Sequence, residues 1–209
     1  MGKSIKELMK WRFACKQFVA DKKIIVADLH DILDSARLAP SSFGLQGWKF
    51  VVVTNQELKQ KLSPVCYNQP QIVEASALVF LCADTVLEGE NGVLNRYMMK
   101  SQKDLGTSDE KRDSYRQMIV GMTQNRSQDD LKNWLQKQVY IPSMALMLAA
   151  AEKGIDSCPM EGFEAKGVAD VLGLPETQIP TVLVSLGYRN MEQPPKSRFD
   201  FEDVVDIRV

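Results

Sequence analysis

The sequence predicts an α+β domain in which a mixed central sheet is flanked by helices and one long central helix lies at a dimer interface. Three observations lead there. Apolar runs of strand length, KFVVV (49–53), ALVFLCA (77–83) and PTVLVSLGY (180–188), are separated by stretches with helical spacing rather than by hairpin turns. A polar opening, SQDD (127–130), runs into LKNWLQKQVYIPSMALMLAAAEK (131–153) without a stop before Gly154, which at 1.5 Å per residue is roughly 40 Å of helix. The second half of that helix is apolar nearly all round, so it needs cover from its own core and from a partner subunit.

Taken in chain order, SIKE (4–7) is a capping box that opens a first helix to about Arg12. VADLHDILDSARLA (26–39) carries Leu29, Ile32, Leu33 and Ala36 at helical spacing until Pro40 stops it, and NQELKQKL (55–62) is a helix capped by Asn55. ALVFLCA is continuously apolar, as a strand buried on both faces is. Residues 84–126 are polar, charged and punctuated by glycine, with helical patches at NRYMMKSQ and SYRQMIVGM, and form an excursion outside the core. A strand (IDSCPM), a helix (AKGVADVLG), the strand at 180–188 and a tail (PPKSRFDFEDVVDIRV) complete a single domain over 1–209.

Composition narrows the function. A net charge of −1, with 44% hydrophobic and 25% charged residues, argues against a nucleic-acid partner. No stretch reaches the about 18 apolar residues that span a membrane, the N-terminus lacks an apolar signal core, and Lys6 stands where a myristoylation signal has Ser or Thr, so a cytoplasmic protein is expected. Cys15, Cys66, Cys82 and Cys158 include no CxxC pair, which predicts free thiols and no metal site. His30 is the one histidine and has no activated Ser or Cys context, leaving no basis for triad chemistry. Neither GxGxxG nor GxxxxGK[ST] is present, so any phosphorylated cofactor must be held by separate cations.

Between the second helix and the first strand lies APSSFGLQGWKF (39–50), a loop of hydroxyls, glycines, an amide and an indole wedged between two rigid elements. Taken with WRFACKQF (11–18), AAAEKGIDSCPMEGFEAKGVADVLGLPE (149–176) and PPKSRF (194–199), it resembles the signature segments of the nitroreductase family of FMN-dependent NAD(P)H oxidoreductases. The four pieces fall in the family's order and span nearly the whole chain. LKNWLQKQVY and the last two segments resemble most the oxygen-insensitive nitroreductase and dihydropteridine reductase branch.

That resemblance implies a nitroreductase-like fold, FMN as cofactor, NADH or NADPH as reductant, and a homodimer with FMN at the subunit interface. Arg12, Lys16, Lys196 and Arg198 then surround the phosphate, together with Phe13 and Ala14. Pro159, Met160, Glu161 and Gly162 lie against the isoalloxazine ring, with the backbone of Glu161 or Gly162 near N5. Pro40, Ser41 and Ser42 come from the other subunit, Asn68 bonds the ring edge and Gln71 stands where close relatives carry Lys. No side chain is implied as an acid or base, because the flavin carries the chemistry.

The implied activity is ping-pong hydride transfer to small electron-poor acceptors such as nitroaromatics or quinones. A dedicated pteridine or enone reductase, or a flavin-binding protein without turnover, is the alternative. The chain departs from the family pattern in three places: Ala14 replaces a Ser that bonds the phosphate, Gly44 and Gly47 replace Asn and Pro, and Val120 replaces an aromatic over the substrate pocket. Tyr97, Met98, Tyr115 and Met118 are alternative pocket residues, and also suit helix packing. Trp48 is expected in the core.

Overall fold

Strand β1 (Trp48–Val53) pairs with strand β2 (Ala77–Asp84), which is buried at every position and forms the spine of the molecule. The computed structural model describes residues 2–209. Strands β3 (Asp156–Met160) and β4 (Gln178–Gly187) complete a sheet in the order β1-β2-β4-β3, antiparallel at every pairing. The parallel component expected of a mixed sheet is confined to one bridge, Ala14 with Ser157. Cys15 donates its N–H to the Ser157 carbonyl at 3.1 Å, and Phe18 bridges Arg189, so the N-terminal segment runs along the outer edge of β3.

The two faces of β2 follow the period-2 rule. Val79 and Leu81 meet Ile32 and Ala36 of helix α2 (Val26–Arg37) and Val139, Leu146 and Ala150 of the long helix α7 (Gln128–Glu152). Leu78 and Phe80 meet Leu62 of α3 (Gln56–Leu62), Ile72 of α4 (Pro70–Glu74) and Val168 of α8 (Ala165–Leu172). A sheet covered on both faces by helices explains why 77–83 reads as an uninterrupted apolar run.

Local signals end the helices where the sequence places them. α1 (Ile5–Trp11) starts at the Ser4–Glu7 capping box, Asn55 caps α3, and Ser127 Oγ accepts the Asp130 N–H at 3.1 Å to open α7. Helix α7 has 25 residues and closes at Gly154, which adopts φ +70°. Lys153 at its C-cap donates to Asp28 and Asp31 of α2 at 2.8 and 2.9 Å. Tyr140 and Ile141 are exposed on the outer face of α7, and Met144, Ala145 and Leu148 are half-buried there, so part of the apolar helix is left uncovered by its own chain.

The excursion folds into α5 (Val93–Leu105) and α6 (Asp109–Thr123), with a small core of its own built from Leu87, Leu94, Met98 and Ile119 around Leu45. Helices α4 and α9 (Phe201–Val204) are too short, at 5 and 4 residues, to leave a readable periodicity. Among the described residues no helix is long and apolar enough to cross a membrane.

Candidate functional site

Cations from both ends of the chain converge beside the edge of β3: Arg12 with Lys196 and Arg198, and Lys16 with Arg12 at Cys158. Arg12 caps α1 in an extended conformation (φ −72°, ψ 142°), which turns the chain out of the helix and along the sheet edge. The C-terminal tail returns to this point: Gln193 Nε2 donates to the Lys10 carbonyl at 2.9 Å and Lys196 Nζ to the Arg12 carbonyl at 2.6 Å. Burial first, and then the nearby Arg198, lower the pKa of Arg12. Lys196 is lowered by burial and by both arginines. Burial raises the Cys158 thiol, while Lys16 and Arg12 oppose that rise.

The cluster is uncompensated. Among the described residues none of Arg12, Lys16, Lys196 and Arg198 pairs with a carboxylate. Arg12 Nε is buried and has no hydrogen-bond partner. Like charges held together at a cost, with a buried donor unsatisfied, suit an incoming anion, and a phosphate monoester supplies both the charge and the acceptors.

A fifth cation fixes the frame of this cluster without joining it. Arg189 Nε donates to Asp156 Oδ1 at 2.8 Å, and Asp156 Oδ2 accepts the Arg189 N–H at 3.0 Å. The guanidinium lies 4.4 Å from the Trp11 ring centroid and 4.8 Å from that of Phe13. Phe13 is therefore a core residue beneath the segment, and Ala14 and Lys16 are exposed on it.

Next to the cations, β3 ends in Pro159 and Met160 and turns at Glu161 and Gly162. Phe163 N–H closes the turn on the Glu161 carbonyl at 2.9 Å. Gln69 Nε2 donates to the Gly162 carbonyl at 2.8 Å and to the Cys66 carbonyl at 3.0 Å. A Cβ on Gly162 would stand 3.1 Å from Gln69 Nε2, so this close approach favours glycine. On the other side Tyr140 Oη donates to Glu161 Oε1 at 2.8 Å, and burial and then the carboxylate push the Tyr140 pKa up to about 12. Tyr140, Glu161, Phe163, Lys137 and Thr181 line a cleft of about 460 Å³.

Asn68 follows Tyr67 in two consecutive left-handed conformations (φ 52° and 55°), with its N–H on the Ser63 carbonyl and its side chain exposed. Gln71, singled out among the cofactor residues because it stands where close relatives carry Lys, is buried at 2% exposure and donates to Gln69 Oε1 at 3.2 Å. The residue that reaches the 161–162 turn is Gln69, which sequence reasoning missed; the short helix α4 turns Gln71 inward, and nothing in the local sequence marks that rotation.

The loop at 39–47 is held from elsewhere. Gln138 Oε1 of α7 accepts the Ser42 N–H at 2.8 Å, Ser41 Oγ accepts the Gln46 N–H at 2.8 Å, and Tyr115 Oη donates to the Phe43 carbonyl at 3.2 Å. Phe43, Gly44 and Gln46 all take positive φ (55°, 68°, 51°). Gly44 and the Asn of the family pattern thus answer one demand, since both tolerate the left-handed region. No hydrogen bond or ion pair links residues 40–42 to the Arg12 cluster within the described residues of one chain.

Of the alternative pocket residues, Met98 lies in the core of the excursion, Tyr97 and Tyr115 are partly buried against it, as is Val120, and Met118 is exposed beside Tyr115. Trp48 packs on the main core and stacks with Phe50, and His30 is exposed on α2.

Residues 9–188 match the model of the Nitroreductase family. A Staphylococcus haemolyticus protein provisionally named as an NAD(P)H nitroreductase is 34% identical over 99% of this chain and 98% of its own. A nitroreductase-like structure from Exiguobacterium sibiricum, solved in complex with FMN, superposes with a TM-score of 0.86 at 27% identity, covering 100% of this chain and 99% of that one. CLA-ER, described as an enone reductase of gut-bacterial fatty acid saturation, superposes at 0.84 with 26% identity, covering 98% of each chain.

Proposed function

The chain belongs to the nitroreductase family, and we propose that within it this protein is a homodimeric, FMN-dependent oxidoreductase that uses NADH or NADPH to reduce nitroaromatics, quinones or similar electron-poor compounds by a ping-pong mechanism. One observation carries the reading: three cations from both ends of the chain, Arg12, Lys196 and Arg198, meet with no carboxylate paired to them and with Arg12 Nε buried and unpartnered, and Lys16 stands with Arg12 beside Cys158. That set fits the FMN phosphate, which Arg12, Lys16, Lys196 and Arg198 would hold. Ala14 contributes no side-chain hydrogen bond, so the side-chain donors to the phosphate would be the cations themselves.

When bound, FMN would supply the redox chemistry, hydride transfer between a reduced nicotinamide and the acceptor. The chain orients and shields. Pro159, half-buried, offers an apolar wall at the end of β3 with Met160 buried in the core behind it, and the turn at Glu161 and Gly162 presents main-chain donors next to it. Asn68 offers an exposed amide to the ring edge. Pro40, Ser41 and Ser42, which among the described residues share no hydrogen bond or ion pair with the cation cluster of their own chain, would complete the site of the partner subunit. The half-covered apolar face of α7 supports such a dimer. The cytoplasm supplies reduced nicotinamide and keeps thiols reduced, consistent with four buried free cysteines.

A dedicated enone reductase is the second reading, favoured by the likeness to CLA-ER. The experiment is an anaerobic visible spectrum of the FMN-reconstituted protein before and after NADPH, with NADH as control, followed by a nitroaromatic, a quinone, a pteridine and an enone as acceptors. Bleaching followed by reoxidation supports the enzyme and ranks the acceptors. An unchanged flavin spectrum with both nucleotides favours a binding protein without turnover, and a protein that takes up no FMN refutes the site.

A further inference from the structure

The turn at residues 161 and 162 is held from two sides by residues outside the set the sequence singled out. Gln69 uses both amide hydrogens, one on the Cys66 carbonyl and one on the Gly162 carbonyl, and its oxygen accepts from Gln71. Rotating that amide by half a turn would aim its oxygen at two carbonyls, so the network determines its orientation. Gln71 is buried at 2% exposure and acts as a strut behind Gln69. From the opposite direction, α7 delivers the Tyr140 hydroxyl to the Glu161 carboxylate at 2.8 Å. The Glu161 carbonyl is occupied by Phe163 N–H, while among the described residues the Gly162 N–H donates to no protein acceptor.

The result is a free main-chain donor whose flanking carbonyls and neighbouring carboxylate are all restrained. A donor restrained in this way is preorganised: it needs no reorientation when an acceptor arrives. We propose that Gln69 and Tyr140 are positioning residues that clamp the Glu161–Gly162 turn and thereby aim its free N–H at the reactive edge of the flavin, with Gln71 supporting Gln69. This rests on the flavin reading above. Neither residue touches the phosphate cluster, so the clamp acts on the geometry and electronics of the ring rather than on retention of FMN.

The test uses full-length protein reconstituted with FMN and the variants Gln69→Leu and Tyr140→Phe. Three quantities are measured: FMN affinity by fluorescence titration, the flavin midpoint potential, and the anaerobic rate of reduction by NAD(P)H. The expected result is FMN bound as tightly as by the parent, a shifted midpoint potential, and reduction slowed by about tenfold or more. Unchanged potential and rate in both variants overturn the clamp while leaving the flavin reading intact. Affinity that falls in step with the rate assigns the residues to simple binding and also overturns it. If the parent itself takes up no FMN, the flavin reading fails, and the clamp with it, before any variant is made. Should Gln69→Leu not fold, Gln71→Leu removes only the strut and is read by the same three measurements.

Discussion

The ammonium of Lys196 donates to the main-chain carbonyl of Arg12 at 2.6 Å, joining positions 184 residues apart. That bond holds three mutually repelling cations at one place, because Arg198 arrives with the tail and depresses both Arg12 and Lys196.

Replacing Arg198 by Met is therefore expected to weaken FMN and leave the cofactor-free protein as stable as before, since it relieves repulsion as well as removing a ligand. A charge-assisted hydrogen bond of about 1.5–3 kcal/mol corresponds to roughly 10- to 150-fold in affinity. Riboflavin, which lacks the phosphate, should bind parent and variant equally. Fluorescence titration with both flavins checks this, and a parallel loss of riboflavin would point to a collapsed site instead.

Arg189 is expected to matter for both stability and cofactor. Asp156 is 3% exposed, so Arg189→Met leaves a buried carboxylate without its partner, at about 3–5 kcal/mol. The same change removes the cation beneath Trp11 and Phe13, loosening the segment that carries Arg12. Urea unfolding and FMN titration of one preparation should both shift; an unchanged unfolding midpoint would contradict the buried pair.

Gly44 offers a test of the loop. Its φ of +68° and a would-be Cβ 3.3 Å from Tyr97 predict that Gly44→Ala costs about 1–2 kcal/mol. Gly44→Asn, which restores the family residue, should cost less because Asn tolerates the left-handed region. Equal losses for the two would place the penalty in the contact with Tyr97 rather than in the backbone.

Lys59 gives a pH dependence with a definite sign. It is fully buried, donates to the Val73 and Ala75 carbonyls, and burial pushes its pKa down to about 8 from an ordinary 10.5. Between those values the unfolded chain holds the proton and the folded chain has lost it, so folding stability rises with pH. The parent should gain stability relative to Lys59→Met as pH increases from about 8 toward 10.5, in denaturant titrations of the two proteins side by side. A difference that stays flat across this window would show that Lys59 titrates normally.

Much of this molecule is local in origin. The Ser4–Glu7 box, the Asn55 and Ser127 caps and the apolar run of β2 act over a few residues, so the sequence by itself determined where α1, α3, α7 and the central strand begin. Resemblance of short segments to a known family likewise marked Arg12, Lys16, Lys196 and Arg198 and pointed to the family whose model residues 9–188 match. What only the tertiary structure decided concerns long-range pairing. The antiparallel order β1-β2-β4-β3, the parallel bridge at Ala14, and the bond from Gln69 to the 161–162 turn depend on hydrogen bonds between residues far apart in the chain. Strand neighbours and helix rotations are set by the whole packed core. No window of adjacent residues contains the competing contacts that choose among them, which is why short segments could single out Arg12 and Arg198 but not Gln69 or Tyr140.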